Sequence, residues 1–317
     1  MLTGFFINLK KVVELMDKDF RKVITTTIIS VLMFSFNYGQ VVKKDSEGSL
    51  SKRWQIKGDS IKRFKIEPYK PVYFLVANYT TDINNFPTSD NPLNLAEESS
   101  DFSDTELKFQ LSFKTRAVRN LFGKRIGGDV WVGYTQSSRW QLYSANISRP
   151  FRETNYEPEV MLVFPTAYKI LGLNGVFAGI GINHQSNGRS NPLSRSWNRI
   201  VLQFGWETPS WSFVLRPWWR LPEDRIEDNN PGIEDYVGRT EFLTVFSRGR
   251  HDISFLAKHS LRGGNKNRGS IRFDYAIKVL DQLQVHAQFF HGYGESLIDY
   301  NHNQTTFGIG LSLLQWR

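Results

Sequence analysis

The chain has 317 residues, 40% of them hydrophobic, enough for one large domain with a sizeable core or two smaller ones. It contains no cysteine, which excludes a disulfide framework, a thiolate metal site, a cysteine nucleophile and a lipoprotein anchor. The formal net charge of +9 gives little reason to expect a nucleic-acid partner, because residues 1–67 alone hold +6 and the other 250 residues only +3.

The first segment reads as a targeting signal. Arg21 and Lys22 precede the apolar stretch 23–36 (VITTTIISVLMFSF), which is too short for a spanning helix of about 20 residues. A signal peptide is expected over 1–39, with translation beginning either at Met1 or at Met16. Residues 40–67 are polar and basic, and are expected to form a flexible leader before a domain running from 68 to 317.

Beyond the leader, short stretches alternate. Leu107, Phe109, Leu111 and Phe113 interleave with Glu106, Lys108, Gln110 and Ser112. Ile271, Phe273, Tyr275 and Ile277 interleave with Ser270, Arg272, Asp274 and Ala276. A period of two is a strand with one apolar and one polar face. Strands are expected near 71–80, 105–115, 128–138, 157–166, 174–186, 196–207, 210–220, 235–247, 250–260, 269–279, 282–292 and 304–316. Long polar connections alternate with short ones, and the strand number is even. This is the rhythm of an all-β, 12-stranded antiparallel transmembrane barrel of the outer membrane. Trp197, Trp206, Trp211, Trp218, Trp219, Tyr293 and Trp316 are expected in its interfacial girdles. Lys108, Arg272 and Lys278 are expected to fill a narrow lumen. A soluble β-sandwich or lipocalin-like barrel gives the same alternation with the apolar face inward.

The hairpin 175–207 carries the chemistry. Val176, Ala178, Ile180, Ile182, His184 and Ser186 share one face of the incoming strand, and Asn198 continues the face of Ile200, Leu202, Phe204 and Trp206 on the returning one. A serine hydroxyl is a weak nucleophile until a base takes its proton, and His184 is placed to do so. Asn198 is a neutral partner able to hold the imidazole, and a neutral amide is easier to carry on a lipid-facing surface than a carboxylate. The competing reading is an interfacial decoration on a non-catalytic barrel, a porin or an adhesin. His251, His259, His286, His291 and His302 show no ligand spacing, and Glu295 and Asp299 are expected to make structural loop contacts.

The block His184-Gln185-Ser186-Asn187-Gly188-Arg189-Ser190, followed by Pro192 and Ser194-Arg195-Ser196-Trp197-Asn198-Arg199, resembles the active-site block of the outer membrane phospholipase A family. Three further blocks agree: Tyr134-Thr135-Gln136 through Trp140-Gln141, Pro150 through Pro158, and Gly292 through Asn301. The resemblance runs from about residue 64 to the C-terminus. It implies hydrolysis of phospholipid acyl esters at either glycerol position, also of lysophospholipids, by an enzyme that depends on calcium and acts as a homodimer. It implies an active site at the extracellular side of the outer membrane, with Ser186 as nucleophile, His184 as base and Asn198 as orienting residue. The Gly188 amide would help hold the oxyanion, and Gln136 would line the site and support the dimer. The implied calcium ligands are the Arg189 carbonyl, the Ser194 hydroxyl, Ser148 of the partner subunit and Asn229. Two departures stand out: Asn229 and Asn191 occupy positions where family members can carry an acid, so weaker calcium binding is expected. The terminus also ends Trp316-Arg317 rather than in an aromatic.

Overall fold

The computed structural model describes residues 49–56, 65–170 and 172–314. The stretch read as a signal peptide, and Trp316, lie outside them. Twelve antiparallel strands form the wall: β1 (Val72–Thr80), β2 (Thr105–Val118), β3 (Asp129–Trp140), β4 (Phe151–Pro165), β5 (Leu173–Ser186), β6 (Ser196–Glu207), β7 (Trp211–Arg220), β8 (Thr240–Arg248), β9 (His251–His259), β10 (Gly269–Lys278), β11 (Gln284–Tyr293) and β12 (Asn303–Leu314). Each pairs with its neighbours in sequence, and β12 pairs back onto β1 with Thr306 opposite Thr80, so the ring closes. Closure leaves no unpaired sheet edge, the condition for a β-structure to sit in hydrocarbon. No helix among the described residues is long and apolar enough to cross a membrane.

The alternation read from the sequence is the alternation of the wall. In β2, Glu106, Lys108, Gln110, Ser112, Lys114 and Arg116 are buried in the lumen, while Leu111 and Phe113 are exposed outside. Val132, Val160, Ile180, Ile182, Phe242, Phe273, Ile309 and Leu311 continue this exposed apolar outer surface. β4 begins at Phe151, earlier than expected, so the stretch Phe151–Pro158 is wall and not loop. β8 begins at Thr240, later than expected, because Ile233–Asp235 form a 3-10 turn.

Charge pairs fill the lumen. Arg152 Nε donates to Glu106 Oε2 at 2.8 Å and Nη1 to Asp299 Oδ2 at 3.0 Å. Arg216 Nη2 lies 2.6 Å from Glu159 Oε1, and Arg272 Nε 3.1 Å from Asp274 Oδ2. Lys108 bonds to Glu295 and donates to Gln288 Oε1 at 2.7 Å. Glu295 and Asp299 are thus structural, as expected. Lys278 differs from expectation: it is exposed at the end of β10, beyond the filled section. His286 is fully buried against Asp274 Oδ1 at 3.0 Å.

Both ends of the lumen are sealed by aromatic side chains. Within the stretch read as a flexible leader, residues 49–56 are instead fixed to the barrel. Ser49 caps the helical turn Leu50–Arg53, Ser51 bonds to Glu207, and Arg53 Nη2 donates to the Tyr69 carbonyl at 2.6 Å. Trp54 packs edge-on to Trp131 with centroids 5.4 Å apart, beside Phe177, and Lys114 Nζ sits 3.1 Å above its ring. At the long-loop end, Trp197 and Trp218 are buried with Val201, Ile233, Val237, Leu297 and Tyr300, so these two tryptophans are not girdle residues. Their strand parity points them into the lumen, on the face opposite Asn198. Trp211 and Trp219 are exposed outside, where a girdle needs them.

The Asp299 carboxyl shows how strongly this network is coupled. Burial pushes it up, but Arg152 and the Ser296 hydroxyl overcome that and hold it at about 2. A depressed carboxylate contributes stability that is complete above its unfolded value of about 4 and is lost as the pH falls through about 2. Replacing Arg152 by Leu leaves Glu106 and Asp299 buried without their nearest cation, with only the more distant Arg139 remaining. The variant is expected to lose about 3–5 kcal/mol, seen as a lower urea midpoint for unfolding from detergent micelles. An unchanged midpoint would contradict a structural role for the network.

Candidate active site

β5 and β6 pair so that His184 stands directly opposite Asn198, and Ser186 opposite Ser196. His184, Ser186 and Asn198 all lie on the outer face, above Ile180 and Ile182, which are 44% and 61% exposed. The structure thus brings together the three residues singled out in the sequence, on adjacent strands at the long-loop end. Val176 does not belong to the stripe. A one-residue register shift between Gly175 and Phe177 turns it inward, where it packs with Phe177 and Trp54.

His184 Nδ1 and Asn198 Oδ1 are 2.8 Å apart. An amide oxygen only accepts, so Nδ1 carries the imidazole proton and Nε2 keeps its lone pair. Ser186 is the next outward residue, about 6.6 Å along the strand. On the other side, β4 places Tyr156 opposite Ser186 and Glu159 opposite Asn183. Pro158 lies between these pairs and has no N–H to give the ladder.

Gly188 opens the loop after β5 with φ +64, a left-handed conformation. A Cβ there would lie 3.0 Å from the Tyr156 ring, so the position suits glycine on two counts. Asn187 folds this turn: its Oδ1 accepts from the amides of Arg195 at 2.9 Å and Arg189 at 3.3 Å, and its Nδ2 donates to the Leu193 carbonyl at 2.8 Å. The bonds made by Asn187 use the amides of its neighbours and not that of Gly188. The Arg189 side chain reaches across to β4, donating to the Arg152 carbonyl at 2.7 Å, which fixes the main chain it carries.

Gln136 is further away than a site-lining residue need be. Its row runs Leu111, Gln136, Tyr156, Ser186, so Tyr156 stands between it and the serine. Its Oε1 accepts from the Tyr134 hydroxyl at 3.1 Å.

The oxygen donors named for calcium are only partly assembled. Asn229 Nδ2 donates to Ser194 Oγ at 3.0 Å, and Asn229 Oδ1 accepts from the Ser196 amide at 2.8 Å. Ser194 and Asn229 are therefore adjacent, with the amide oxygen of Asn229 turned to the backbone. Ser148 is exposed in the β3–β4 loop, at φ +61. The donor set is all oxygen, which suits a hard cation, but all neutral. The neighbouring acid Asp228 is bound to Arg220 at 2.6 Å. No group of three or more His, Asp or Glu with metal-binding geometry occurs among the described residues. The residues present therefore fit calcium in kind, as a weak site.

Sequence reasoning missed Glu223. Its Oε1 accepts from Asn198 Nδ2 at 3.3 Å. It lies among several acids in the loop 221–234, and only the pairing of Arg220 with Arg199 reveals that this loop starts level with Asn198. No signal in the sequence fixes that register.

The Phospholipase A1 family model matches residues 50–313. The phospholipase A1 of Salmonella typhimurium is 35% identical over 250 residues, covering 79% of this chain and 82% of that protein. That of Escherichia coli strain K12 is 34% identical over 254 residues, with the same shares covered. The crystal structure of the Salmonella typhi outer membrane phospholipase dimer with bound calcium matches with a TM-score of 0.74 at 32% identity, over 86% of this chain and 99% of that one. Outer membrane phospholipase A of Escherichia coli matches with a TM-score of 0.73 at 32% identity, over 85% and 99%. A barrel of this closure, carrying a histidine–asparagine pair beside a serine on its outer wall, belongs to the phospholipase A1 family.

Proposed function

We propose that this chain is an outer-membrane phospholipase that cleaves acyl esters of phospholipids at the sn-1 and sn-2 positions with Ser186, His184 and Asn198. The observation that carries the reading is the 2.8 Å contact between His184 Nδ1 and Asn198 Oδ1 on the outer face, with Ser186 the next outward residue. Polar groups on a lipid-facing wall are costly and need a partner or a use.

The chemistry follows from that tautomer. His184 Nε2 takes the Ser186 proton as the serine oxygen adds to the ester carbonyl, and the Gly188 amide donates to the oxyanion. Collapse breaks the bond to the glycerol oxygen, which takes the proton back from His184 and leaves as the lysophospholipid alcohol. Water then adds to the acyl-serine with His184 again as base; collapse breaks the bond to Ser186 Oγ, which takes the proton back from His184, and the fatty acid leaves. Asn198 holds the imidazole throughout. Because the serine faces hydrocarbon, substrate enters sideways from the bilayer, at the long-loop end, which in an outer-membrane barrel is extracellular.

The active form in this reading is a homodimer, and the family's calcium would be held by the Arg189 carbonyl, Ser194, Asn229 and Ser148 of the partner subunit. Bound there, the ion would supply positive charge to offset the negative charge developing on the oxyanion. The exposed apolar wall of Ile182, Val160 and Tyr156 next to Ser186 offers a surface for the partner barrel and an acyl chain. A porin reading has no support in a lumen blocked by charge pairs.

Ester hydrolysis of detergent-dispersed phospholipid tests the assignment. Ser186→Ala is expected to lose about a thousandfold or more of the activity while keeping its heat-resistant mobility as a folded barrel. Equal rates for both proteins would remove Ser186 from the mechanism. Calcium is tested separately by sedimentation: chelation is expected to lower the dimer fraction. Asn229→Asp, by adding a carboxylate, is expected to reduce the calcium needed for dimerisation about tenfold. A dimer fraction indifferent to both would remove the ion from the interface.

A further inference from the structure

One side chain at the long-loop end grips the orienting asparagine. β7 leaves the ladder after Arg220, and the Leu221 N–H donates to the Asn198 carbonyl at 2.8 Å. Pro222 follows, and the carboxylate of Glu223 then accepts from Asn198 Nδ2 at 3.3 Å through Oε1. Leu221 and Glu223 thus hold Asn198, the first by its main chain and the second by its side chain. The second oxygen, Oε2, lies 4.0 Å from Arg220 Nη2, whose shorter bond goes to Asp228. The Glu223 side chain is 19% exposed.

The asparagine amide has two nearly isosteric orientations with opposite consequences. With its oxygen toward His184, the imidazole is protonated at Nδ1 and Nε2 is a base. Turned over, the amide presents N–H to Nδ1, drives the proton to Nε2, and leaves nothing to accept the serine proton. An ionised carboxylate only accepts, so Glu223 opposite Nδ2 admits the first orientation alone.

We propose that Glu223 is a positioning residue for the reaction: it locks the Asn198 amide with its oxygen toward His184, and its negative charge favours the imidazolium that forms when Ser186 gives up its proton. The proposal rests on the Ser186–His184–Asn198 reading above. Burial pushes the Glu223 carboxyl above its ordinary value. Arg220, the Asn198 bond and His184 act against this, and Asp228 with it. Those four residues are the groups that bear on it most strongly. A negative charge beside the imidazole favours the imidazolium over the neutral ring, so removing it is expected to move the acid limb of the rate profile to lower pH.

The test compares wild type with Glu223→Ala, Glu223→Gln, Asn198→Ala, the Glu223→Ala/Asn198→Ala pair and Ser186→Ala, on phospholipid in detergent micelles. Glu223→Ala is expected to lower kcat about three- to tenfold with KM unchanged. Glu223→Gln keeps an acceptor without the charge, so it is expected to recover part of kcat. In both variants the acid limb moves down by a few tenths of a pH unit. In the Asn198→Ala background the same Glu223→Ala change is expected to cost less than about twofold, because its route of action is gone. Nitrogen chemical shifts of His184 should report the Nδ1-protonated tautomer in wild type and a mixture in Glu223→Ala.

An acid limb in Glu223→Gln that coincides with wild type, or an alanine loss carried undiminished into the Asn198→Ala background, would overturn the proposal. If Glu223→Ala fails to form the barrel, the glutamine variant's pH profile decides alone. A dead Ser186→Ala beside a wild-type Glu223→Ala sinks the lock and leaves the triad standing. An active Ser186→Ala sinks both.

Discussion

Everything in this molecule follows from the demand that no backbone polar group be left unpaired in hydrocarbon. The pairing of β12 with β1 meets that demand by closing the ring. Closure in turn fixes the side chains, because alternate residues of each strand must face lipid or lumen. The lumen of a twelve-stranded ring is too narrow to be an open channel once long side chains enter it, and here those side chains are charged. Charges buried there need a partner, so Arg152 sits between Glu106 and Asp299, Arg216 lies against Glu159, and Lys114 rests on the Trp54 ring. The tryptophans that seal the two ends, Trp54 at one and Trp197 with Trp218 at the other, face the same interior.

The same demand shapes the site. In the reading proposed above, a reacting serine on the outer wall needs a base and an orienting partner in a medium that penalises charge. His184 and Asn198 bond each other across one strand boundary at 2.8 Å. Charge appears only where the wall ends. Glu223, in the loop beyond β7, is near enough to act on Asn198 and far enough from the apolar stripe to remain hydrated in part.

What was legible in the sequence was whatever depends on parity alone. The alternation from Glu106 to Lys114 gave the faces of β2, and the spacing of His184, Ser186 and Asn198 placed all three on one side of a hairpin. Features that need register or a partner were not legible. The shift at Gly175/Phe177 that buries Val176 leaves no compositional trace, since Val176 is as apolar as the stripe it leaves. Trp197 and Trp218 were assigned to the girdle by type, although parity already pointed them inward. The turn at Leu50–Arg53 reads as a basic leader because its anchors, Glu207 and the Tyr69 carbonyl, lie on remote strands. Glu223 escaped for the same reason.

The loop 221–234 connects these threads. Its acids are shared out by Arg220, which bonds Asp228 at 2.6 Å and Glu234 at 3.4 Å and lies 4.0 Å from Glu223. Asp228 is thereby kept off Ser194, and the residue beside Ser194 is the neutral Asn229. A calcium ion held by such ligands would be bound weakly, because carboxylate count sets affinity in oxygen sites. The loop's negative charge is instead gathered around Arg220, next to Asn198, whose amide bonds His184. Ser89 and Asn91 of the loop after β1 bond the main chain of Asn229 and Asp228, so the arrangement is held from two sides. Of the loop's carboxylates, Glu223 reaches Asn198, so in the reading proposed above a cation at the interface would act on a site whose geometry the loop already helps to set.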